Sequence, residues 1–204
     1  MWILFCAEAL ARAGGGDRHP HGGGLWLLPF LPLLLVWIHL HRKRRQEADA
    51  ALQITLRALA QREAHWEPAA LRQTAAALFA RAQEAWCQQD LRWIRQNLEP
   101  ALAADWEEKI AAMRRRGERN ALHGLVLLQA HLVDHVDQPG PDGDEVSLDL
   151  LATAQDRTFG PDGRLLREGP SSFSERWVFR HRSGRWRLAA IRSAAGPIPP
   201  RSVP

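Results

Sequence analysis

From Leu25 to Leu40 the chain carries no charged side chain, and it then runs into Arg42-Lys43-Arg44-Arg45. The stretch, LWLLPFLPLLLVWIHL, is mostly Leu, Trp, Phe, Val and Ile. As a helix it covers about 24 Å, and Gly22 to Gly24 with a snorkelling His39 extend it toward the ~30 Å hydrocarbon core of a bilayer. Pro29 and Pro32 would kink a soluble helix but are better tolerated in the first turns of a span. A buried core helix needs no block of four cations, whereas a span uses one as its stop signal. The pattern therefore predicts one transmembrane helix over residues 25–41. Before it stand only Arg12 and Arg18 as basic residues, so the positive-inside rule puts the N-terminus outside and the following domain in the cytoplasm.

The residues on either side divide accordingly. Residues 1–24 read as a leader and a glycine-rich linker. Trp2 to Ala7 is apolar and Ala11-Arg12-Ala13 fits a small-x-small cleavage site, although a charged n-region is missing. Gly14 to Gly24 has linker composition, and its His19-x-His21 pair is read as incidental. Phe5 is too bulky to precede a lipidated cysteine, so Cys6 is not expected to be acylated. Cys6 and Cys87, the two cysteines, belong to different segments, which argues against a disulfide and suits a reducing compartment.

Residues 42–67 predict a basic, amphipathic linker helix, with Leu52, Leu56 and Leu59 at helical spacing. Arg42, Lys43, Arg44 and Arg45 form a candidate lipid-binding cluster, because an anionic leaflet attracts cations at about 1 kcal/mol each. Arg114 to Arg116 would widen that footprint. The net charge is +4 and the basic residues are dispersed. That favours an anionic membrane surface over nucleic acid, for which no base-reading motif is present.

Residues 68–193 predict one α+β domain. Pro68 opens a helix with Leu71, Ala75, Leu78, Phe79, Ala82 and Trp86 on one face. Asp90 caps a second helix, with Leu91, Ile94 and Leu98 inward. Pro100 opens a third with Leu102, Trp106, Ile110 and Met113, ended by Arg114-Arg115-Arg116-Gly117. The period then becomes two. Val126, Leu128, Ala130, Leu132 and Val136 fall on one strand face, and Val146, Leu148, Leu150, Ala152 and Ala154 on the next. Phe173, Glu175, Trp177, Phe179 and His181 alternate in a third strand, and Trp186, Leu188 and Ala190 in a fourth. Turns are expected at Pro139 to Gly143, at Gly160 to Gly163 and at Ser183-Gly184. Residues 194–204 read as a disordered, proline-rich tail.

Several of these stretches together resemble a known family. Phe79 to Trp86, followed by Gln89-Asp90-Leu91, is similar to the helix-aromatic-x-D-L joint of the Tim-forty-four-like domain. Leu98-x-Pro100 resembles its step into the third helix. Glu175-Arg176-Trp177-Val178-Phe179-Arg180, a short turn, then Trp186, Leu188 and Ile191 resemble its end. The likeness covers about Pro68 to Ile191. The family includes the inner-membrane anchor of the mitochondrial import motor, a mitochondrial large-ribosomal-subunit protein and bacterial membrane-anchored proteins. The resemblance implies a cone-shaped, nuclear-transport-factor-2-like fold with a hydrophobic pocket. It also implies a non-enzymatic role at a membrane, in protein translocation or the assembly of membrane complexes. The import-motor role itself is not carried over, because its long chaperone-contacting region has no counterpart in these residues.

The candidate pocket residues are Trp86, Trp93, Trp106, Trp177, Phe179 and Trp186, which are either a lining for an acyl chain or peptide, or simply core. Glu175 is either solvent-facing or paired with arginine. The same cone fold hosts enzymes and small-molecule binders, so a catalytic or ligand-binding role is the alternative. His123, His131 and His135 share one face of a regular strand, with His181 and Glu175 as neighbours to consider. His131 and His135 would then lie roughly 13 Å apart, too far to share one ion. Asp134 and Asp137 stand beside turn residues, and no nucleophile has an evident base. The sequence therefore predicts no catalytic residue, no metal and no cofactor. The expected partners are anionic membrane lipids and an unidentified membrane or translocation-related protein.

Overall fold

The computed structural model describes residue 47, residues 49–140 and residues 142–194. The predicted span over 25–41, the Arg42 to Arg45 cluster, the leader and the proline-rich tail lie outside those residues. Among the described residues no helix is long and apolar enough to cross a membrane.

Among the described residues the architecture is α+β, with four helices followed by one five-stranded antiparallel sheet. Such a layout is consistent with a nuclear-transport-factor-2-like cone. A helix over residues 49–60 (α1) leads through a 3-10 turn, Ala64–Trp66, into α2 (Pro68–Gln88). The helices α3 (Leu91–Asn97) and α4 (Pro100–Arg115) follow.

Local chemistry sets these boundaries. Pro68 and Pro100 occupy first-turn positions, where the missing N–H costs nothing. The Glu67 carboxylate accepts from the Ala69 N–H. Gln89 adopts a left-handed conformation (φ +54°) and its N–H closes the end of α2 on Ala85 and Trp86. Asp90 then caps α3 by accepting from the Trp93 N–H at 3.1 Å. The Gln89-Asp90 pair is thus a stop and a start side by side. At the next joint Leu98 forms a parallel bridge to Leu188, and the Glu99 N–H donates to the Leu188 carbonyl at 2.8 Å. The L-x-P step is a one-residue extension of the sheet.

The strands are β1 (Arg119–Val136), β2 (Glu145–Phe159), β3 (Leu165–Glu168), β4 (Ser172–Arg182) and β5 (Arg185–Ser193), in the spatial order β1-β2-β4-β5. The short β3 pairs with the far end of β2, beyond the reach of β4. The turn glycines behave as expected: Gly163 and Gly184 take positive φ in tight hairpins.

β2 and β4 alternate as predicted. Val146, Leu148, Leu150, Ala152 and Ala154 are all buried, as are Glu175, Trp177, Phe179 and His181. β1 does not alternate. Three register shifts against β2, between His123 and Val126, between Leu127 and Gln129 and between Leu132 and Asp134, each insert a residue and reverse which side chains face the helices. Val126 and Leu128 are consequently about half exposed, whereas Leu132 is buried. β5 has one such shift: Phe179 pairs with Leu188, but Trp177 pairs with Ile191. Ile191, not Ala190, therefore shares the face of Leu188, and this is why the motif spaces its last apolar residue by three rather than two.

The core lies between α2 and the sheet. Phe79 meets the Trp177 ring edge-on at 5.1 Å, and Phe173 and Phe179 extend the contact. Leu56 of α1 and Trp66 of the 3-10 turn are as fully buried as Phe79, Trp177 and Phe179, at 0% and 1% exposure. The segment before Pro68 is thus part of the hydrophobic core.

Candidate functional site

The six predicted pocket residues fall into distinct groups. Trp86 of α2 and Trp106 of α4 meet edge-to-face at 5.1 Å. Trp177 and Phe179 lie in the centre of the core beneath Phe79, with rings 6.2 Å apart. Trp186 sits at the far end of β4 and β5, with Trp66, His65 and His181. Trp93 is half-buried on α3. The indole N–H of Trp86 is buried without a hydrogen-bond acceptor among the described residues.

Glu175 takes neither of its expected settings. It is buried, and its carboxylate accepts from the Trp177 indole N–H at 2.9 Å. Burial raises its pKa and the indole hydrogen bond partly opposes that rise.

The opposite face of the sheet carries paired charge. Arg176 grips Asp149, its cross-strand partner, through two hydrogen bonds of 2.7 and 2.9 Å. Arg180 does the same to Glu145 and also reaches Glu99, whose carboxylate lies 3.3 Å from Arg182 as well. Glu99 is 5% exposed, so these guanidinium groups neutralise a carboxylate that sheet and helix joint have withdrawn from water. Arg114 and Arg116 are engaged too, with Gln89 and Glu118 respectively.

Under α2, the Cys87 thiol donates to Asn120, which in turn donates to Asp156. Burial, with the Asp156 charge, pushes the Cys87 pKa up to about 11. A thiol so disfavoured as thiolate is a poor nucleophile.

The β1 histidines do not share a face. His123 pairs with Gln155 and His131 with Asp149, on the side away from the helices. His135, past the last bulge, pairs with Val146 and its ring meets Trp66 at 5.9 Å. That end of the sheet gathers two groups the spacing argument did not connect. The His65 ring nitrogen Nε2 lies 2.8 Å from Asp144 Oδ2, and the His65 ring stacks on His181 with centroids 4.0 Å apart and planes within 6°. Asp144 and His181 come together because their backbones exchange a hydrogen bond at the mouths of β2 and β4. His65 arrives on the 3-10 turn. No periodicity links it to the strands, and only the apolar Trp66 beside it signals that the turn docks.

A family model described as "Tim44-like domain" matches residues 52–193, well over half of the chain. The chain belongs to the Tim44-like domain family. The match begins inside α1, ahead of Pro68, and ends at the last residue of β5, so it spans the core as folded. The Tim44-like domain is associated with membrane-linked protein translocation and scaffolding, and its members are generally non-enzymatic and contact membranes and protein partners. The chain is also similar to a solved structure, the intermembrane space region of the chloroplast protein ARC6, at 11% identity and a TM-score of 0.45, over 60% of this chain and 97% of that one. No curated protein matches it in sequence.

Within the Tim44-like domain the sequence motifs acquire physical roles. The x-D-L joint is the left-handed stop and Asp cap between α2 and α3. The L-x-P step is the bridge from Leu98 to β5. The closing strands bury Trp177 and Phe179 on one side and pair Arg176 and Arg180 on the other.

Proposed function

We propose that this protein is a membrane-tethered, non-enzymatic scaffold. Its Tim44-like domain holds a protein partner at the cytoplasmic face of an inner membrane, in translocation or in the assembly of a membrane complex. The observation that carries the reading is the family match over residues 52–193. The apolar run at Leu25 to Leu40, closed by Arg42 to Arg45 immediately ahead of that domain, supports the tether and its orientation. Reporters that distinguish cytoplasm from periplasm, fused after Arg62, should report cytoplasm; a periplasmic signal overturns the orientation and the scaffold's side.

The lipid contact is assigned to Arg42, Lys43, Arg44 and Arg45. Arg114 and Arg116 already hold partners within the domain, which argues against the wider footprint. A fragment from Arg42 onward, without the span, is expected to float with anionic vesicles at low salt. It should leave them as ionic strength rises and the charges are screened. Replacing the four residues by Gln should remove most of the binding. Indifference to anionic vesicles at low salt would reduce the cluster to a topology signal.

A further inference from the structure

The hairpin of β4 and β5 sets arginines opposite one another: Arg176 pairs with Arg192, Arg180 with Arg187, and Arg182 with Arg185. On β4 the three alternate with the buried Trp177, Phe179 and His181, so they lie on the face away from the helices. A regular β5 would turn Arg192 into the core. The extra residue between Leu188 and Ala190 brings it out beside Arg185 and Arg187 instead. Val178 and Ala190, themselves a cross-strand pair, form a narrow apolar floor within this ladder.

Like charges directly opposite one another destabilise a sheet. The β4 member of each pair is compensated: Arg176 by Asp149, Arg180 by Glu145 and Glu99, and Arg182 by Glu99. The β5 member is not. Among the described residues Arg185, Arg187 and Arg192 have no hydrogen bond or ion pair, and the Nε of Arg187 is closed off from water without an acceptor. Such a donor carries a cost that an incoming anion removes. We propose that the outer face of β4 and β5 is a docking surface for an extended, acidic segment of a partner protein, whose carboxylates pair with Arg185, Arg187 and Arg192. This rests on the scaffold reading, for which it supplies the face and the chemistry of the partner.

The spacing selects the occupant. Along the strands Arg185 and Arg187 stand about 7 Å apart, and Arg192 lies about 14 Å further on. An extended chain presents one face every ~7 Å, so Asp or Glu at every second position meets this ladder. Each guanidinium can take a carboxylate through two parallel hydrogen bonds. A planar bilayer would meet the exposed Arg185 and Arg192, whereas a narrow chain lying on the face also reaches the half-buried Arg187 between them. Single-stranded nucleic acid would want aromatic rings to stack on, and Phe173, Trp177, Phe179 and Trp186 all point to the other side.

The test uses the full chain in a neutral detergent, with Arg42→Gln, Lys43→Gln, Arg44→Gln and Arg45→Gln so that the cluster beside the span does not compete. A fluorescein-labelled peptide of alternating Glu and Thr, about eight residues long to cover the ~20 Å ladder, should bind at low salt and leave as salt rises. Its Gln-for-Glu counterpart should not bind. Combining Arg185→Gln, Arg187→Gln and Arg192→Gln should weaken binding at least about tenfold while leaving the melting temperature unchanged or raised, because three like-charge pairs are gone. Arg57→Gln, Arg92→Gln and Arg115→Gln remove as much charge from the helices and should leave binding within about twofold of the parent. In the parent protein the peptide should shift the Nε resonances of Arg185, Arg187 and Arg192, a measurement independent of the variants. No peptide binding at low salt, equal losses in the two triple variants, or β5 substitutions that release anionic vesicles or single-stranded DNA but not the peptide would overturn the proposal. The two readings fail separately: a periplasmic reporter leaves the peptide affinity untouched, and absence of peptide binding leaves the tether and its orientation as they stand.

Discussion

A fragment that starts at Pro68 is expected not to fold cooperatively, whereas one that starts at Ala48 is expected to do so. The compact unit begins at Ala48. Removing the residues before Pro68 deletes Leu56 and Trp66, both essentially inaccessible to water. Trp66 lies edge-on to Trp186 and His135, so its loss opens the end of the sheet. It also takes away His65, leaving the buried Asp144 carboxylate without its neighbour. Truncating a buried Leu costs about 2–5 kcal/mol and a buried Trp about 3–5 kcal/mol. Together these approach the whole stability of an ordinary domain, about 5–15 kcal/mol. Urea melts of residues 48–204 and 68–204, followed by circular dichroism, make the comparison. A cooperative transition of the shorter fragment within about 1 kcal/mol of the longer one would make α1 an accessory.

Trp177→Ala is expected to destabilise the domain by about 5 kcal/mol, near the upper end of Trp truncations. The ring is 0% exposed and packs on Phe79 and Phe179. Its N–H is also the donor to the buried Glu175 carboxylate, so the variant leaves a cavity and strands an acceptor at once. Glu175→Gln should behave oppositely, because its amide oxygen still accepts from the indole and the buried charge is gone. The sign follows from linkage. Burial raises the folded-state pKa of Glu175 above its unfolded value near 4.3, so the native state binds the proton more tightly. That contribution is fully present below the unfolded pKa and is lost as pH rises through the folded one. Glu175→Gln should therefore gain on the parent between about pH 4 and neutrality, read as a rising difference in urea midpoint. A pH-independent loss would show that the carboxylate is needed as an anion.

Both results turn on residues whose burial was unequally legible. Trp177 could be read as an inward residue from its strand alone. So could the caps and stops at Pro68, Asp90, Pro100 and Gly117, the alternation of β2 and β4, and the turns at Gly160 to Gly163 and Ser183-Gly184. These features depend on φ preferences, capping groups and a two-residue period, all carried within a few residues of chain. The order of helices and strands followed from them, and with it the α+β class.

Tertiary structure decided the rest. A bulge belongs to the pairing of two strands, so neither β1 nor β5 alone announces where its faces reverse; that is why Val126 and Leu128 turned outward and Ile191 inward. Leu56 looked like one stripe of a surface helix, because an apolar stripe does not say whether lipid or protein covers it. Glu175 lacked a visible partner because the donor is a neighbour's indole rather than a charge. His65 and Asp144 are 79 residues apart, and neither stands in a motif with His181. The docked turn and the backbone pairing of Asp144 with His181 bring the three side chains together, because a cluster assembled by chain closure leaves no period in the sequence.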